Sequence, residues 1–122
     1  MDVYREIILD HYKHPHNFGH IAHPSSSHTL YNSACGDKIT MEITVDKKDK
    51  VTEVKFSGEG CAISQASASL LTDLVLGKTK KEIMKLNSDT IFSLLNTELT
   101  ASRVKCAVLP LEVLQKAVGS TV

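Results

Sequence analysis

Residues 38–60 read KITMEITVDKKDKVTEVKFSGEG, and this stretch decides the fold. In its first part apolar and polar side chains alternate, as in a β-strand with one buried face. The apolar residues of that part are Ile39, Met41, Ile43 and Val45. After the polar turn DKKDK, residues 51–58 alternate again, with Val54 and Phe56 on one face. Because a two-stranded hairpin alone is marginal in water, we expect helices to cover its apolar face.

Helical patterns lie on both sides of this hairpin. Residues 3–13 carry a mostly apolar face, and residues 61–76 predict a second helix that Gly77 ends. In the second helix a run of Ala and Ser precedes the leucines, and such small side chains let a neighbouring backbone approach closely. Residues 104–118 are apolar at helical spacing, and Pro110 should kink that helix or mark a second start.

Shorter elements complete the prediction. Thr79 and Glu82 form a capping box for a helix that reaches residue 86. Ser88 or Asp89 should cap another helix, around residues 91–95. Residues 14–29 are predicted to be irregular, and the segment TLYN, residues 29–32, adds a third strand.

Length and charge limit the classes of function. The 122 residues suit a single domain, which we place at residues 1–122. Lys plus Arg and Asp plus Glu both number 14, so the chain lacks the charge excess expected of a protein that binds nucleic acid or an anionic membrane. Without a signal-peptide pattern or a membrane-length apolar stretch, we expect a cytoplasmic protein.

The chain has three cysteines, Cys35, Cys61 and Cys106. An odd number of cysteines without a secretion signal argues for thiolate chemistry or metal binding rather than for a disulfide framework. Cys61 follows Gly60 at the predicted start of a helix, where unpaired amides and the helix dipole favour the thiolate. The simpler interpretation of Cys61 is a small buried apolar residue.

Two further motifs carry a cysteine. In NSACGDKI, Gly36 allows a turn that points Cys35 and Asp37 at one centre, and thiolate with carboxylate suits zinc or ferrous iron. The alternative is an ordinary turn in which Asp37 bonds its own backbone. Cys106 lies near the start of the last helix beside Lys105, whose charge would depress the pKa of a thiol.

Six histidines fall within residues 11–28. Such clustering is found in metal-binding tracts. However, HPHNFGHIAHP places its histidines among Pro, Asn and Gly, at spacing typical of a loop. We therefore interpret them as solvated loop side chains.

Four segments of the chain carry a recognisable pattern: YREIILDHYKHPHNFG, CGDKITMEITVD, VKFSGEGCAISQASASLLTDLVLGKT and RVKCAVLPLEVLQKAV. In their sequence and order they resemble the iron–sulfur cluster assembly scaffolds of the IscU, NifU N-terminal and SufU type. The resemblance covers nearly the whole chain, and its most specific part is the run GEGCAISQAS. The resemblance implies an α+β fold, a small antiparallel sheet of about three strands with helices packed on one face.

The same resemblance implies the site and its partners. Cys35, Cys61 and Cys106 would be the ligands of a transient [2Fe-2S] cluster, of iron, or of zinc in the isolated protein. Asp37 corresponds to the family's aspartate, a metal ligand that tunes release. A cysteine desulfurase would deliver persulfide sulfur to Cys35 or Cys106, and apoproteins would receive the cluster. The protein would thus act as a scaffold or sulfur acceptor rather than as an enzyme with ordinary turnover.

Three departures from the family pattern bear on whether the chain is more similar to the IscU branch or to the SufU branch. Lys105 stands where the IscU branch has a His, which resembles SufU-like proteins with three Cys and one Asp around zinc. Residues 87–103 are nevertheless too few for the insertion that the SufU branch carries. The Leu-Pro-Pro-Val-Lys motif of the IscU branch is missing, so a dedicated chaperone is not implied, and Ser33 replaces a usual Pro.

Four functions are therefore weighed. The first is a cluster-assembly scaffold, and the second is a zinc-dependent sulfurtransferase that activates the desulfurase. The third is a small zinc-stabilised domain without a transfer role. The fourth, a cysteine hydrolase, needs a general base beside its nucleophile, which the N-terminal histidines could supply only by folding back.

Overall fold

The structure is a computed structural model that describes residues 3–33 and 36–121. Five helices and three strands lie in these ranges. In chain order they are α1 (Val3–Lys13), β1 (Ser26–Asn32), β2 (Asp37–Val45), β3 (Val51–Glu59), α2 (Ala62–Val75), α3 (Lys80–Met84), α4 (Ser88–Leu95) and α5 (Ala101–Gly119). No helix in the described ranges is long and apolar enough to span a bilayer.

The three strands form an antiparallel sheet in the order β1-β2-β3. The register of β2 against β3 pairs Met41 with Phe56 and Ile43 with Val54. Directly opposed residues of an antiparallel pair share a face, and all four of these side chains are buried. The predicted hairpin and its apolar face are therefore confirmed.

The third strand is longer than the sequence predicts. β1 begins at Ser26, which pairs with Ile43, so the prediction of irregular chain is wrong for residues 26–29. Isolated Ser and His residues give little strand signal, and the pairing partner β2 imposes the extended conformation here. A hydrogen bond of 2.6 Å between the hydroxyls of Thr29 and Thr40 ties the two strands across the sheet.

The two long helices, α2 and α5, pack against each other and against the sheet. The first half of α2 is buried although it consists largely of Ser and Ala. The Ser67 hydroxyl donates a hydrogen bond of 2.6 Å to the carbonyl of Ala107 in α5, which requires the close approach that small side chains permit. The predicted α+β architecture is confirmed.

Two helix predictions need correction. The N-cap of α4 is Asn87, whose side chain accepts a hydrogen bond from the amide of Asp89, and not Ser88 or Asp89. Pro110 does not start a second helix, since it lies inside the continuous helix α5. The packing of the apolar residues of α5 holds the helix together across the proline.

His11 belongs to the predicted helix of residues 3–13 and not to the loop segment HPHNFGHIAHP, residues 14–24. This residue lies on α1, it is buried, and its Nδ1 is 2.7 Å from the hydroxyl of Ser69 in α2. On the same helix Ile8 is buried, whereas Ile7 and Leu9 are exposed. α1 therefore contacts α2 through a narrow stripe that contains a histidine, and the wide apolar face predicted for it is absent from its described side chains.

Candidate metal centre

Side chains from three different elements converge at one end of the molecule. They are Asp37 at the start of β2, Cys61 just before α2, and Cys106 in α5. One ligand atom from each, a carboxylate oxygen and two sulfurs, lies within 4.8 Å of the other two. The structure thus brings together three of the four residues that the sequence proposes as ligands.

Asp37 is held between the sheet and the start of α2. It follows Gly36, whose φ of 71° lies in the left-handed region that glycine adopts readily. Its Oδ1 accepts a hydrogen bond of 3.0 Å from the amide of Cys61, so it satisfies one of the unpaired donors at the start of α2. The alternative of an ordinary turn, in which Asp37 bonds its own backbone, does not account for this contact with α2.

The second oxygen of the same carboxylate is the notable atom of the site. Asp37 is 1% exposed, and its Oδ2 has no hydrogen-bond partner among the described residues. A buried polar atom without a partner is costly, and native structures contain few. A cation placed among these three side chains would supply that partner.

Gly60 and Ser64 shape the wall around Asp37. A Cβ on Gly60 would lie 2.4 Å from the hydroxyl of Ser64 and 2.6 Å from Oδ1 of Asp37. The Ser64 hydroxyl in turn donates to the carbonyl of Cys61 at 3.1 Å. The sequence places Gly60 beside Cys61, but it does not single out Ser64, which lies in the first turn of α2 three residues after Cys61.

Cys61 is the N-cap of α2, in extended conformation, and it is half-buried. Burial, the largest single influence, raises the pKa of its thiol, but hydrogen bonding with the amide and side chain of Ser64 and with Cys106 outweighs it. The net effect is a pKa below the ordinary value, although the charge of Asp37 opposes it. The structure therefore favours a thiolate at Cys61, as the helix-start position predicts.

Cys106 lies in the second turn of α5 and is fully buried. Its Sγ is 3.8 Å from the carbonyl of Ser102, one helical turn earlier. Asp37 is likewise buried, so two of the three ligands lie away from solvent. Of the three, Cys61 alone has substantial contact with solvent.

Two predicted features of the site are not among the described ligand atoms. Cys35 lies outside the described residues, so its place as a fourth ligand stays a prediction. Lys105 is exposed, and it lines a separate groove with Tyr31 and Glu112. The geometry of the described residues therefore gives Lys105 no place among the converging ligand atoms.

The donor set suits a thiophilic metal. Cysteine sulfur and carboxylate oxygen are both zinc ligands, and thiolates also bind iron in iron–sulfur units. Two sulfurs and one oxygen within 4.8 Å of one another leave room for a fourth donor around a single ion. The residues present therefore fit a metal ion or a small cluster as cargo.

Comparisons with known proteins agree with this geometry. The family profile described as the NifU-like N terminal domain matches residues 3–120. The zinc-dependent sulfurtransferase SufU of Bacillus subtilis is 36% identical, over 96% of this chain and 90% of that protein. The scaffold protein IscU of Haemophilus influenzae is 31% identical, over 96% and 94%.

A solved structure gives the same result in three dimensions. A crystal structure from Fervidobacterium islandicum, described as an iron–sulfur cluster assembly scaffold protein for the SUF system, superimposes with a TM-score of 0.81. It is 32% identical, and the match covers 93% of this chain and 94% of that one. Sequence, fold and clustered side chains together show that this chain belongs to the NifU-like N-terminal domain family, which includes the IscU and SufU proteins.

Proposed function

We propose that this protein is a scaffold on which an iron–sulfur cluster is assembled before it passes to a recipient apoprotein. Sulfur comes from a cysteine desulfurase, iron is added as the ferrous ion, and a [2Fe-2S] cluster forms on Cys35, Cys61 and Cys106. Asp37 is the fourth, oxygen ligand. The single observation that carries this proposal is the convergence of Asp37, Cys61 and Cys106 with Oδ2 of Asp37 left unpartnered.

Sulfur delivery requires a thiolate that can reach a persulfide on another protein. The thiolate attacks the outer sulfur of that persulfide, the sulfur–sulfur bond breaks, and the donor cysteine leaves as a thiolate. Cys106 is fully buried, so a protein-bound persulfide cannot approach it in this conformation. Burial therefore argues against Cys106 as the acceptor.

Release of the cargo requires a ligand that yields. A carboxylate is a harder and weaker ligand for these metals than a thiolate, so Asp37 is the first to give way. We predict that Asp37→Ala makes an assembled cluster more persistent and slows its transfer by about tenfold, roughly the effect of 1.4 kcal/mol. Stopped-flow absorbance with an apoferredoxin as recipient measures the rate, and transfer at the parent rate would contradict the prediction.

Anaerobic reconstitution tests the proposed function itself. The protein is incubated with a cysteine desulfurase, cysteine, ferrous iron and a thiol reductant, because persulfide sulfur must be reduced to sulfide. We expect the visible absorption of a [2Fe-2S] centre, with both Cys61→Ser and Cys106→Ser failing to develop it. Ser93→Ala, an exposed site on α4, is the control that should behave as the parent.

The alternative is a zinc-dependent sulfurtransferase that activates the desulfurase. The 36% identity to SufU favours it, as does the position of Lys105 outside the cluster. The alignment to SufU spans 134 positions, more than the whole of this chain, so SufU has residues inside the matched region that this chain lacks. The alignment to IscU spans 120 positions and shows no such excess, which favours the scaffold.

Reconstitution separates these candidates. A colourless protein that accelerates the desulfurase would support the sulfurtransferase, and bound zinc with neither effect would support a structural zinc domain. The partners named here, the organisation as one domain over residues 1–122 and the cytoplasmic location remain predictions.

A further inference from the structure

A pocket opens beside Cys61, on the side away from the sheet. It lies between α1, the first turn of α2, residues 97–100 and the first turn of α5, and its volume is about 490 Å³. Pockets of roughly 300–1,000 Å³ are the size that binds small molecules. Cys61, which lines this pocket, is a proposed metal ligand. The other residues that line the pocket have no role in the proposed function.

The charged lining of this pocket is unusual for this chain. The sequence contains arginine only at positions 5 and 103, its other basic side chains being lysines and histidines. Arg5 of α1 and Arg103 of α5 both line the pocket, and Glu98 is the one acidic residue among the described residues that line it. A guanidinium binds a carboxylate through two parallel hydrogen bonds, which an ammonium cannot do. The pocket is therefore suited to a small carboxylate.

The rest of the lining suggests what that carboxylate carries. Ile63 and Leu99 provide an apolar wall for a short carbon chain. Cys61 is the one ligand among the described residues that lines the pocket, whereas Asp37 and Cys106 are buried behind it. A molecule bound by the arginines would therefore present its other end to the sulfur of Cys61.

We propose that this pocket binds a small thiol bearing a carboxylate, and that this thiol replaces Cys61 as a ligand when the cargo leaves. The incoming sulfur forms a bond to iron, the bond from Sγ of Cys61 breaks, and Cys61 takes up the proton that the incoming thiol loses. No electron is transferred. The exchange step rests on the proposed scaffold function, whereas carboxylate binding beside Cys61 does not.

The first experiment tests the pocket without a cluster. Iodoacetamide alkylates Cys61 in the full chain after metal removal with EDTA, and mass spectrometry of peptides follows the rate. The acid 3-(methylthio)propionate should slow the reaction with a half-maximal concentration at least about fivefold below that of the neutral 3-(methylthio)-1-propanol, which has the same chain. This difference is expected for a charge-assisted hydrogen bond of about 1 kcal/mol or more.

Matched variants identify the residues responsible. Arg5→Gln with Arg103→Gln should abolish protection by the acid, whereas Lys13→Gln with Lys116→Gln should keep it. Each pair removes one exposed cation from α1 and one from α5. Equal protection by the acid and the alcohol, no protection by either, or loss of protection in the lysine control would overturn the proposal. The comparison of acid with alcohol on the parent protein holds whether or not a variant folds.

The second experiment tests the exchange step on the cluster-loaded protein. At matched thiolate concentrations, 3-mercaptopropionate should remove the visible absorption at least about fivefold faster than 2-mercaptoethanol, and the arginine variant should lose this difference. Equal rates after a positive first experiment would overturn the exchange. A chain that assembles no cluster would refute the proposed function, while the alkylation experiment would still decide whether the pocket binds carboxylates.

Discussion

Two clusters of polar side chains lie along helix α2, and they differ in whether every buried polar atom has a hydrogen-bond partner. At the start of the helix Asp37, Cys61 and Ser64 meet, and in its middle Ser69 and Asp73 contact the N-terminal segment. In the middle cluster every buried polar side-chain atom of the described residues has a hydrogen-bond partner. At the start, Oδ2 of Asp37 has none among the described residues. The difference suggests that a complete network fixes structure, whereas an incomplete one marks a site for a ligand.

The middle cluster is an anchor for the N-terminal segment. The Ser69 hydroxyl is 2.7 Å from Nδ1 of His11 and accepts a hydrogen bond of 2.8 Å from the amide of His16. The side chain of Asn17 donates to Asp73 at 2.9 Å and to Thr72 at 3.0 Å. These contacts fasten α1 and the chain after it to α2, and they position the wall of the pocket beside Cys61.

The largest change in stability should come from the middle cluster. Ser69→Ala removes the partner of the buried His11 side chain and of the partly buried His16 amide, and it should lower the free energy of unfolding by about 2–3 kcal/mol. Urea unfolding of the metal-free protein followed by circular dichroism measures it. Ser93→Ala, on an exposed face of α4, should cost nothing. Equal stability of the two variants would show that the anchor does not contribute.

Gly60→Ala tests the cluster at the start of α2, because it adds a methyl group between Asp37 and Ser64. Gly60→Ala puts a Cβ 2.6 Å from Oδ1 of Asp37, so the carboxylate or the start of α2 must shift. We expect a loss of about 1–2 kcal/mol in unfolding free energy and roughly tenfold weaker zinc binding, measured by competition with a chromophoric chelator. Gly119→Ala, whose Cβ would meet nothing within 4 Å, is the control. Zinc affinity at the parent level would contradict this role.

Asp37→Asn tests whether the cluster at the start of α2 is a ligand site, in contrast to the structural cluster in the middle of the helix. The amide oxygen can still accept the hydrogen bond from Cys61, so the metal-free protein should keep its stability within about 1 kcal/mol, in contrast to Ser69→Ala. Binding of cobalt, a spectroscopic substitute for zinc, should weaken because the carboxylate charge is lost. A loss of stability as large as that of Ser69→Ala would show that Asp37 is structural rather than a ligand.

The smallest effect concerns pH. Burial, and then the charge of His16, lower the pKa of His11 from 6.5, while Asp73 and Asp10 act in the opposite direction. The unfolded chain therefore binds this proton more readily, so the stability due to His11 is present above 6.5 and is lost as the pH falls below it. Unfolding from about pH 7.5 to about pH 5.5 should show a smaller loss in His11→Gln than in the parent. His23→Gln, an exposed site, should titrate as the parent, and identical curves for all three would exclude His11.

The sequence predicted the elements whose signal is local. Alternation gave β2 and β3 with the correct buried face, and the capping box of Thr79 and Glu82 is present at the start of α3. The two cysteines in the described residues were recognised because each lies near the start of a helix. The four characteristic segments and their order along the chain then indicated the family of iron–sulfur scaffold proteins.

The features that the sequence did not predict depend on distant partners. The start of β1 is fixed by its pairing with β2. His11 is buried against Ser69, which is 58 residues away in the sequence. The burial of Asp37 and Cys106 likewise arises only when β2, α2 and α5 meet. Periodicity reports on one segment at a time, so it cannot indicate contacts that tertiary packing creates.

Pro110 gives the turn that carries Cys106 a distinctive property. Proline has no amide hydrogen, so Pro110 cannot donate to the carbonyl of Cys106, four residues earlier in α5. The first turns of this helix are joined to the remainder by one backbone hydrogen bond fewer than an uninterrupted helix would have. A small hinge-like opening there would cost less, and it would let an otherwise inaccessible sulfur follow its cargo outward without unfolding the long C-terminal half of the helix.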